Sequence, residues 1–341
     1  MPNKPTKAYI DSDVMLFQAA SAGEKVNYVY YDGSVPVARF ESAKDGKNWL
    51  AEMELLGCDP EFGFGGDPDT LTRETEWVDV GFDECKEAWN SSFEFLEKDL
   101  LKWSPDIKIT TLISPATGVE NFRYAIADLK PYKGDRSKTR KPKYLEQTRE
   151  YVQSLPNVKS PKSKLEIDDW CLAYAQRDGQ DGLAVAIDKD VRTAKGCWVY
   201  HYGDMDEPEW SDDNTVGYVD WDGKKMRGLG YLFLLYQTCS GDSCDGYSGI
   251  PKFGAAKSFK LLSPYNNKPL SEMDQVLKAC LVEYEKGFGK EYVYKSCLTG
   301  DNVTAAPYDL MKQNLSLAYM LKGSKDSAEK SVLKYLNREY V

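Results

Sequence analysis

The chain contains very little histidine and no long apolar run. Its 341 residues include one histidine, His201, which excludes any mechanism or metal site that needs two imidazoles. The eight cysteines include no CxxC pair, so we expect reduced core thiols rather than a zinc site or a redox dithiol. The longest apolar stretches, such as 231–236, fall far short of the roughly 20 residues of a membrane span, and the first residues contain no apolar signal core. We therefore expect a soluble, cytoplasmic chain without a membrane partner.

Acidic residues outnumber basic ones, but the basic residues are unevenly distributed. The chain has 54 Asp+Glu against 44 Lys+Arg and a net charge of -10, which disfavours a polyanionic partner. Between Lys130 and Lys164, however, eleven Lys and Arg stand against three acids. This run forms either a groove for a polyanion or a solvated helical surface, and charge alone does not decide between them.

The apolar pattern predicts an α/β fold with a mostly parallel central sheet flanked by helices. Strands are predicted at 6–10, 107–113, 183–187 and 198–202, and helices at 14–24, at 83–102 and from about residue 165. A hairpin is expected around 32–33 and a surface loop over 57–70. Beyond about residue 239 the pattern is helical. We expect an α/β core over 1–238 and helices over 239–341, built as one continuous unit.

Carboxylates follow two of the predicted strands. Asp11 and Asp13 come after the first, and Asp188 and Asp190 come after the strand at 183–187. Each pair is two residues apart, which would place both carboxylates on one face if the strand geometry continued. Because ligands of parallel sheets bind at the carboxyl ends of the strands, we expect these side chains to lie close together.

Two further acidic groups extend this set. Glu166, Asp168 and Asp169 open a predicted helix, whose dipole favours acids there, and Asp242 and Asp245 follow in a glycine-rich loop. Each group alone is typical of an ordinary turn, helix start or loop. Together they would repel one another unless cations neutralised them, and donors that are all oxygen suit Mg²⁺ or Mn²⁺. Two such ions beside a basic strip are typical of phosphodiester hydrolysis.

The segment from 240 to 262 is rich in glycine and ends in a predicted helix that begins near Ala255. Glycines let the backbone approach a ligand closely, and a helix N-terminus offers free N–H groups to a phosphate. A plain helical hairpin with a glycine-rich turn explains the spacing equally well.

Five short segments, in a fixed order along the chain, resemble the flap endonuclease and bacteriophage 5′ to 3′ exonuclease family. They are YIDSD at 9–13, PYKGDR at 131–136, EIDD at 166–169, IDKD at 187–190 and GDSCDGYSGIPKFGAAK at 241–257. They span roughly residues 8–260, and the last looks closest to stand-alone exonucleases of tailed phages.

The resemblance implies a helical arch over 130–164 and a helix-three-turn-helix over 241–262, the latter with K⁺ on loop carbonyls in many members. It implies two Mg²⁺ or Mn²⁺ ions on an acidic cluster of Asp11, Glu166, Asp168, Asp169, Asp188, Asp190, Asp242 and Asp245, with Asp13 as an adjacent candidate. Lys133 and Arg136 correspond to basic arch residues that contact the scissile phosphate. We expect DNA contacts from Lys138, Arg140 and Lys143, and from Gly249, Lys252, Gly254 and Lys257.

The chain departs from the family's pattern at one position. Family members carry another metal-binding Asp after the second strand, where this chain reads ISPATG at 113–118, without an acid between Asp106 and Glu120. Either Ser114 or Thr117 stands there with a water, or one ion is held more weakly.

On this basis we expect a monomeric, Mg²⁺-dependent nuclease, in the host cytoplasm if a phage encodes it. It would degrade DNA from 5′ ends in duplexes or flaps, and its activity could extend to RNA in RNA–DNA hybrids. Two alternatives remain. A structure-specific DNA-binding protein that no longer cuts is supported by the gap at 114–118. An RNA-cutting nuclease of the wider acidic-cluster superfamily is disfavoured by the glycine-rich segment, which is typical of the DNA branch.

Overall fold

The computed structural model describes residues 2–56, 68–115, 121–134, 139–162, 164–323 and 325–336. The chain divides into two units. The first comprises Met1–Val14, Glu94–Arg140 and Val152–Val341, and the second comprises Met15–Phe93 and Lys141–Tyr151. All nine candidate carboxylates belong to the first unit. The division near residue 239 expected from the sequence lies inside that unit and stays a prediction.

The strands alternate with helices along much of the chain. The strands are β1 Lys7–Asp11, β2 Glu24–Asp32, β3 Val35–Phe40, β4 Thr72–Asp79, β5 Lys108–Leu112, β6 Val158–Lys159, β7 Gly182–Ala186, β8 Cys197–His201, β9 Glu209–Ser211, β10 Tyr218–Trp221, β11 Met226–Leu229, β12 Gly241–Asp242, β13 Tyr247–Ser248, β14 Tyr292–Lys295 and β15 Asn302–Ala305. The helices are α1 Asp13–Ser21, α2 Ala43–Leu56, α3 Phe82–Trp103, α4 Arg123–Ile126, α5 Leu145–Gln153, α6 Ile167–Asp178, α7 Tyr231–Ser240, α8 Ala255–Leu262, α9 Met273–Phe288, α10 Pro307–Ala318 and α11 Ala328–Ser331.

A six-stranded sheet in the order β6-β5-β1-β7-β8-β9 forms the first unit's centre. Its strands run parallel except for β9, which pairs antiparallel with β8. Every residue of β7 and β8 is buried, which explains their continuous apolar sequences. The chain passes from β1 to β5 on one side and returns to β7 on the other. The strand order therefore reverses at β1, and such a reversal is where parallel sheets bind ligands.

Two apolar cores support the first unit. On the sheet, α6 packs Cys171, Leu172 and Ala175 against the buried strands. The other core joins α7, α9 and α10, with Phe233 and Leu277 among its buried residues. Among the described helices, none is both long and apolar enough to cross a membrane.

The second unit contains a three-stranded antiparallel sheet in the order β3-β2-β4. The β2–β3 turn passes through Gly33, as the sequence predicts. Tyr30 contacts Trp49 of α2 and Phe40 of β3, with ring centroids 5.3 and 5.9 Å away. This aromatic cluster explains how a small sheet and one helix form a core of their own.

The predicted strands of the central sheet and the predicted helices beside it are confirmed. The region after residue 239, however, is not helical throughout. It also contains the hairpins β12–β13 and β14–β15, whose strands of two to four residues are too short for a clear alternating pattern. Of the seven cysteines that the structure describes, five are buried, whereas Cys244 and Cys297 are exposed and are not core thiols. Most of the predicted loop, residues 57–67, lies outside the described residues.

Asp178 ties the end of α6 to β1. Its carboxylate accepts a hydrogen bond from Tyr9 Oη at 2.5 Å and from Arg177 Nε at 3.1 Å, and Lys7 Nζ lies 3.2 Å away. Burial alone would raise the pKa of Asp178, but these three donors lower it to about 2. Because the folded pKa is depressed, this contribution to stability is present above the ordinary Asp pKa and is lost as the pH falls toward 2.

We predict that Asp178→Asn lowers the free energy of unfolding at pH 7 by about 1 kcal/mol, the typical net worth of one hydrogen bond. The difference from the parent chain should shrink between about pH 4 and pH 2. Urea unfolding across this range measures both effects, with Asp181→Asn, an exposed neighbour, as the control. A difference that stayed constant with pH would show that the charge of Asp178 is not what stabilises this end of α6.

Candidate metal site

The two Asp pairs at the strand ends form the same local structure. The N–H of Asp13 donates to Asp11 Oδ1 at 3.1 Å, and the N–H of Asp190 donates to Asp188 Oδ1 at 3.1 Å. Each bond closes a turn in which an Asp side chain caps the backbone two residues later. The strand geometry therefore does not continue through either pair, because each strand gives way to a helical turn that starts right after it.

Ser114 lies two residues after β5, in the segment where the resemblance predicts an acid. Its N–H donates to Asp13 Oδ1 at 2.8 Å, and its hydroxyl donates to Asp13 Oδ2. Ser114 thus donates two hydrogen bonds to the carboxylate that opens α1, just after the neighbouring strand β1. Ala116 and Thr117 lie outside the described residues.

The acidic start of α6 is held by Arg123, which is fully buried. Its guanidinium forms two hydrogen bonds with Asp169, at 2.8 and 2.9 Å, and one with Glu166 Oε2 at 3.1 Å. Its remaining donors reach the carbonyls of Leu317 and Tyr319, both at 3.0 Å. Arg123 therefore fastens the EIDD segment to the chain beyond α10.

Asp169 uses both carboxylate oxygens in this arrangement. Besides Arg123, it accepts the N–H of Leu321 at 2.8 Å and the N–H of Glu166 at 3.1 Å, the latter closing a capping box at the start of α6. Asp169 is fully buried. Its contacts are those of a structural anchor, and its role as a metal ligand stays a prediction.

Lys133 and Tyr132 connect Glu166 with Asp245. The Tyr132 hydroxyl lies 2.9 Å from Glu166 Oε2 and 3.1 Å from Asp245 Oδ2. The Lys133 ammonium pairs with Glu166 Oε1 and lies 3.7 Å from Asp245 Oδ1. Lys133 has a positive φ of 51°, and its N–H donates to the Asp245 carbonyl at 2.8 Å. Gly246 permits this approach, because a Cβ there would lie 2.8 Å from the Pro131 carbonyl.

The acids after β7 connect to those of the glycine-rich loop. The Lys189 ammonium pairs with Asp242, whose Oδ1 also accepts the N–H of Cys244 at 2.8 Å. Asp190 is buried and accepts a hydrogen bond from the amide of Gln237 on α7. All four acidic groups of the sequence therefore join one network of contacts and charges at the carboxyl end of β1 and β7.

Several carboxylates in this network have raised pKa values. Burial and then the charge of Asp13 raise the pKa of Asp11 to about 8. Burial and then the charge of Asp188 raise the pKa of Asp190 to about 8. Burial also raises the pKa of Asp168 well above its usual range. These groups need a positive charge nearby if they are to be ionised at neutral pH.

Other carboxylates of the network lie beside a cationic side chain of the protein. Burial would raise the pKa of Glu166, but Lys133 and Arg123 outweigh it and lower the pKa. Likewise, burial would raise the pKa of Asp242, but Lys189 lowers it. The protein's cations thus outweigh burial at Glu166 and Asp242, but not at Asp168 and Asp190.

The donor chemistry fits a hard divalent cation. Every candidate ligand offers carboxylate oxygen, which suits Mg²⁺ or Mn²⁺, and the raised pKa values of Asp11 and Asp190 indicate a local deficit of positive charge. Within the described ranges, however, no three carboxylate, thiol or imidazole groups converge in a ready coordination sphere. Ion binding would therefore require some of these side chains to turn toward the metal.

The residues predicted to contact DNA fall in different places. Lys252, Gly254 and Lys257 are exposed around the N-terminus of α8, where Gly254 provides no side-chain cap. Gly249 is buried, and a Cβ there would lie 2.2 Å from the Cys239 carbonyl, so it serves packing within the loop.

The basic stretch of 130–164 is only partly described. Arg136 and Lys138 lie outside the described residues, and Arg140 is exposed in the first unit. Lys143 belongs to the second unit, where its ammonium pairs with Asp79. The described part of the expected arch contains α5 and the edge strand β6.

Three residues of the network were not among the candidates from the sequence: Arg123, Tyr132 and Gln237. Arg123 lies 43 to 197 positions from its partners, so no local spacing points to it. Tyr132 is adjacent to Lys133 within PYKGDR, and that proximity was the one available hint.

We predict that Arg123→Met destabilises the chain by about 3–5 kcal/mol, because it leaves the fully buried Asp169 without its ion-pair partner and takes one of two cations from Glu166. Arg227→Met is the matched control. Its partners Asp204 and Asp222 form a more exposed group, for which about 1 kcal/mol or less is expected. Urea unfolding of both variants gives the comparison. Equal losses would mean that Arg123 is not the main anchor of the acidic segment.

Comparison with known proteins adds little. No family model and no curated protein matches the chain. One solved structure is similar, a crystal structure of the phage T5 D15 protein co-crystallised with metal ions. It shares 13% sequence identity and a TM-score of 0.37, over 67% of this chain and 80% of that one. A similarity this low carries no argument about activity, so function has to be argued from the site itself.

Proposed function

We propose that the chain is a Mg²⁺-dependent nuclease that hydrolyses DNA from 5′ ends and at 5′ flaps, with possible action on RNA–DNA hybrids. The observation that carries the proposal is the convergence of four acidic groups, distant in sequence, at the reversal point of a parallel sheet. The ordered segments that resemble the flap endonuclease and phage exonuclease family supply the substrate class.

The carboxylates at the strand ends and at the start of α6 are our best candidates to hold metal. Asp11, Asp13, Asp188 and Asp190 surround the carboxyl ends of β1 and β7, and Asp168 adds a further group with a raised pKa. When bound, divalent ions would supply the charge that activates an attacking water and stabilises the leaving oxygen. Glu166, Asp242 and Asp245 would join this set by exchanging their protein cations for metal.

Lys133 has the geometry of a phosphate-binding group. Its ammonium is largely buried between Glu166 and Asp245, and these charges keep its pKa raised although burial would lower it. A substrate phosphate that approached the acidic network would therefore meet a permanently charged ammonium. We assign Arg136 the same task on the strength of its place in PYKGDR.

The N-terminus of α8 is our candidate for holding duplex DNA. Gly254 leaves the first N–H groups of the helix without a side-chain cap, and two exposed lysines, Lys252 and Lys257, flank them. Free N–H groups and the positive end of the helix dipole bind phosphate regardless of base sequence. We propose that α7, the β12–β13 loop and α8 act as the helix-three-turn-helix, with K⁺ as a candidate ion on its carbonyls.

We predict that Asp188→Asn lowers cleavage of 5′-labelled flap and duplex DNA by at least about a hundredfold, because it removes a metal-holding charge. Asp106→Asn is the control, since Asp106 is exposed and precedes β5 at the opposite end of the sheet. Mg²⁺ titration by calorimetry should show weaker binding in the Asp188 variant only. Full cleavage by that variant would refute the metal assignment.

The same substrates separate the alternatives. A parent chain that binds flaps but cuts none with Mg²⁺ or Mn²⁺ would favour the non-cleaving DNA-binding protein. Preferential cutting of single-stranded RNA would favour the RNA nuclease. If the proposal holds, EDTA should abolish cleavage of all these substrates.

For Lys133→Met we predict a fall in the cleavage rate of about 10²–10³, with DNA affinity changed less than about tenfold, because its charge acts mainly as the phosphate reacts. Lys130→Met, an exposed lysine three residues earlier, is the control. Single-turnover cleavage and equilibrium binding in Ca²⁺ measure the two quantities separately. A change in affinity alone would assign Lys133 to binding.

A further inference from the structure

A polar cavity lies at the opposite end of the sheet from the acidic network. It has a volume of about 530 Å³; in its wall, Gly179 begins the turn that leads into β7, and Gly196 directly precedes β8. It therefore opens at the amino ends of these strands, whereas Asp11 and Asp188 follow carboxyl ends. Nothing in the proposed nuclease function uses this cavity.

Two lysines line the cavity without a carboxylate partner. Lys195 is 5% exposed, its ammonium donates to the Thr215 carbonyl, and it lies 4.5 Å from the centre of the Tyr231 ring. Lys322 also lines the cavity, and its residue is exposed to solvent. In the described part of the chain, no carboxylate oxygen lies within 4.0 Å of either ammonium. Buried ammonium groups are costly unless an anion compensates them.

Charged groups of both signs surround the two lysines: Asp212 and Asp213 act on Lys195, and Asp213 and Asp326 act on Lys322. Arg177 also lines the cavity, but Asp178 already pairs with it. Asp213 is the acid in the wall, and its Oδ1 accepts a hydrogen bond from Asn214 at 3.2 Å. The helix α7 begins at Tyr231 in the same wall without a side-chain cap, so its dipole adds positive potential.

We propose that this cavity binds a phosphate-class dianion, either free phosphate or the phosphate of a mononucleotide, between Lys195 and Lys322. The dianion would pair directly with both ammonium groups, neither of which forms an ion pair with a described carboxylate. The volume exceeds that of phosphate alone and falls within the range of small-molecule sites. The rings of Tyr231 and Tyr335 in the wall offer an apolar surface for the rest of a mononucleotide.

The pKa values of the lysines agree with this geometry. Burial lowers the pKa of Lys195 to about 8, against the opposing charges of Asp213 and Asp212, and the positive charge of Lys322 lowers it further. Burial also lowers the pKa of Lys322, with Asp326 opposing and Lys334 adding to the effect. A bound dianion would raise both values, so binding at pH 8 should take up protons.

The test is calorimetric titration of the full chain at pH 8 with inorganic phosphate and, separately, with dAMP. EDTA is present, so the result does not depend on metal binding or on nuclease activity. Lys195→Met and Lys322→Met should each weaken binding at least tenfold, and Lys224→Met, an exposed lysine in the β10–β11 turn, should change it less than twofold. The heat should also depend on the buffer's ionisation enthalpy, as proton uptake requires.

The two probes distinguish the sources of the anion. Binding of dAMP at least tenfold tighter than phosphate assigns the cavity to a mononucleotide, and equal affinities assign it to free phosphate. If Lys195→Met does not fold, Lys322→Met decides. The proposal is overturned if neither probe binds at about 10 mM, or if both lysine variants bind as the parent does.

Discussion

Repulsion among carboxylates buried at one edge of a sheet is the constraint on which the first unit depends. Three of them, Asp11, Asp168 and Asp190, have pKa values raised by burial and by their neighbours. Nothing in the backbone hydrogen bonds of a parallel sheet relieves this repulsion. The chain relieves it instead with side-chain cations that come from distant segments, and Arg123 is the most deeply buried of these.

The need to neutralise the buried acids also explains two unusual backbone conformations, at Lys133 and at Gly246. Lys133 adopts a positive φ, which costs a residue with a side chain about 1 kcal/mol or more. That conformation aims its ammonium at Glu166 while its N–H holds the Asp245 carbonyl. Gly246 lies against the same turn because a side chain there would collide with it. The loop that carries Asp245 is therefore positioned by the residue that neutralises it.

Sequence patterns predicted the parts of this arrangement that depend on local spacing. The apolar residues of β1 and β7 predicted both strands, and the acids at or just after their ends identified the candidate edge. Contacts across long sequence separations were not predictable in this way. Ser114 binds Asp13 over 101 positions, and Arg123 reaches Tyr319 over 196. The sequence pattern also did not predict the second unit. The helices α1, α3 and α5 each contain residues of both units, so no break in the helical pattern marks the boundary.

The two ends of α6 show how far simple electrostatics accounts for the distribution of charge. Its first turn carries Asp168 and Asp169, and its last turn carries Arg177, as the helix dipole favours. The dipole contributes about 0.3–1 kcal/mol per charge, whereas a raised pKa of about 8 at Asp11 corresponds to several times that amount. The dipole can therefore bias which charge stands at which edge, but it cannot hold a carboxylate cluster ionised. Only full positive charges can keep the cluster ionised. The described chain places Arg123, Lys133 and Lys189 beside some of the acids, but Asp11 and Asp190 still have raised pKa values. That remaining deficit is the physical basis for placing divalent ions at this edge.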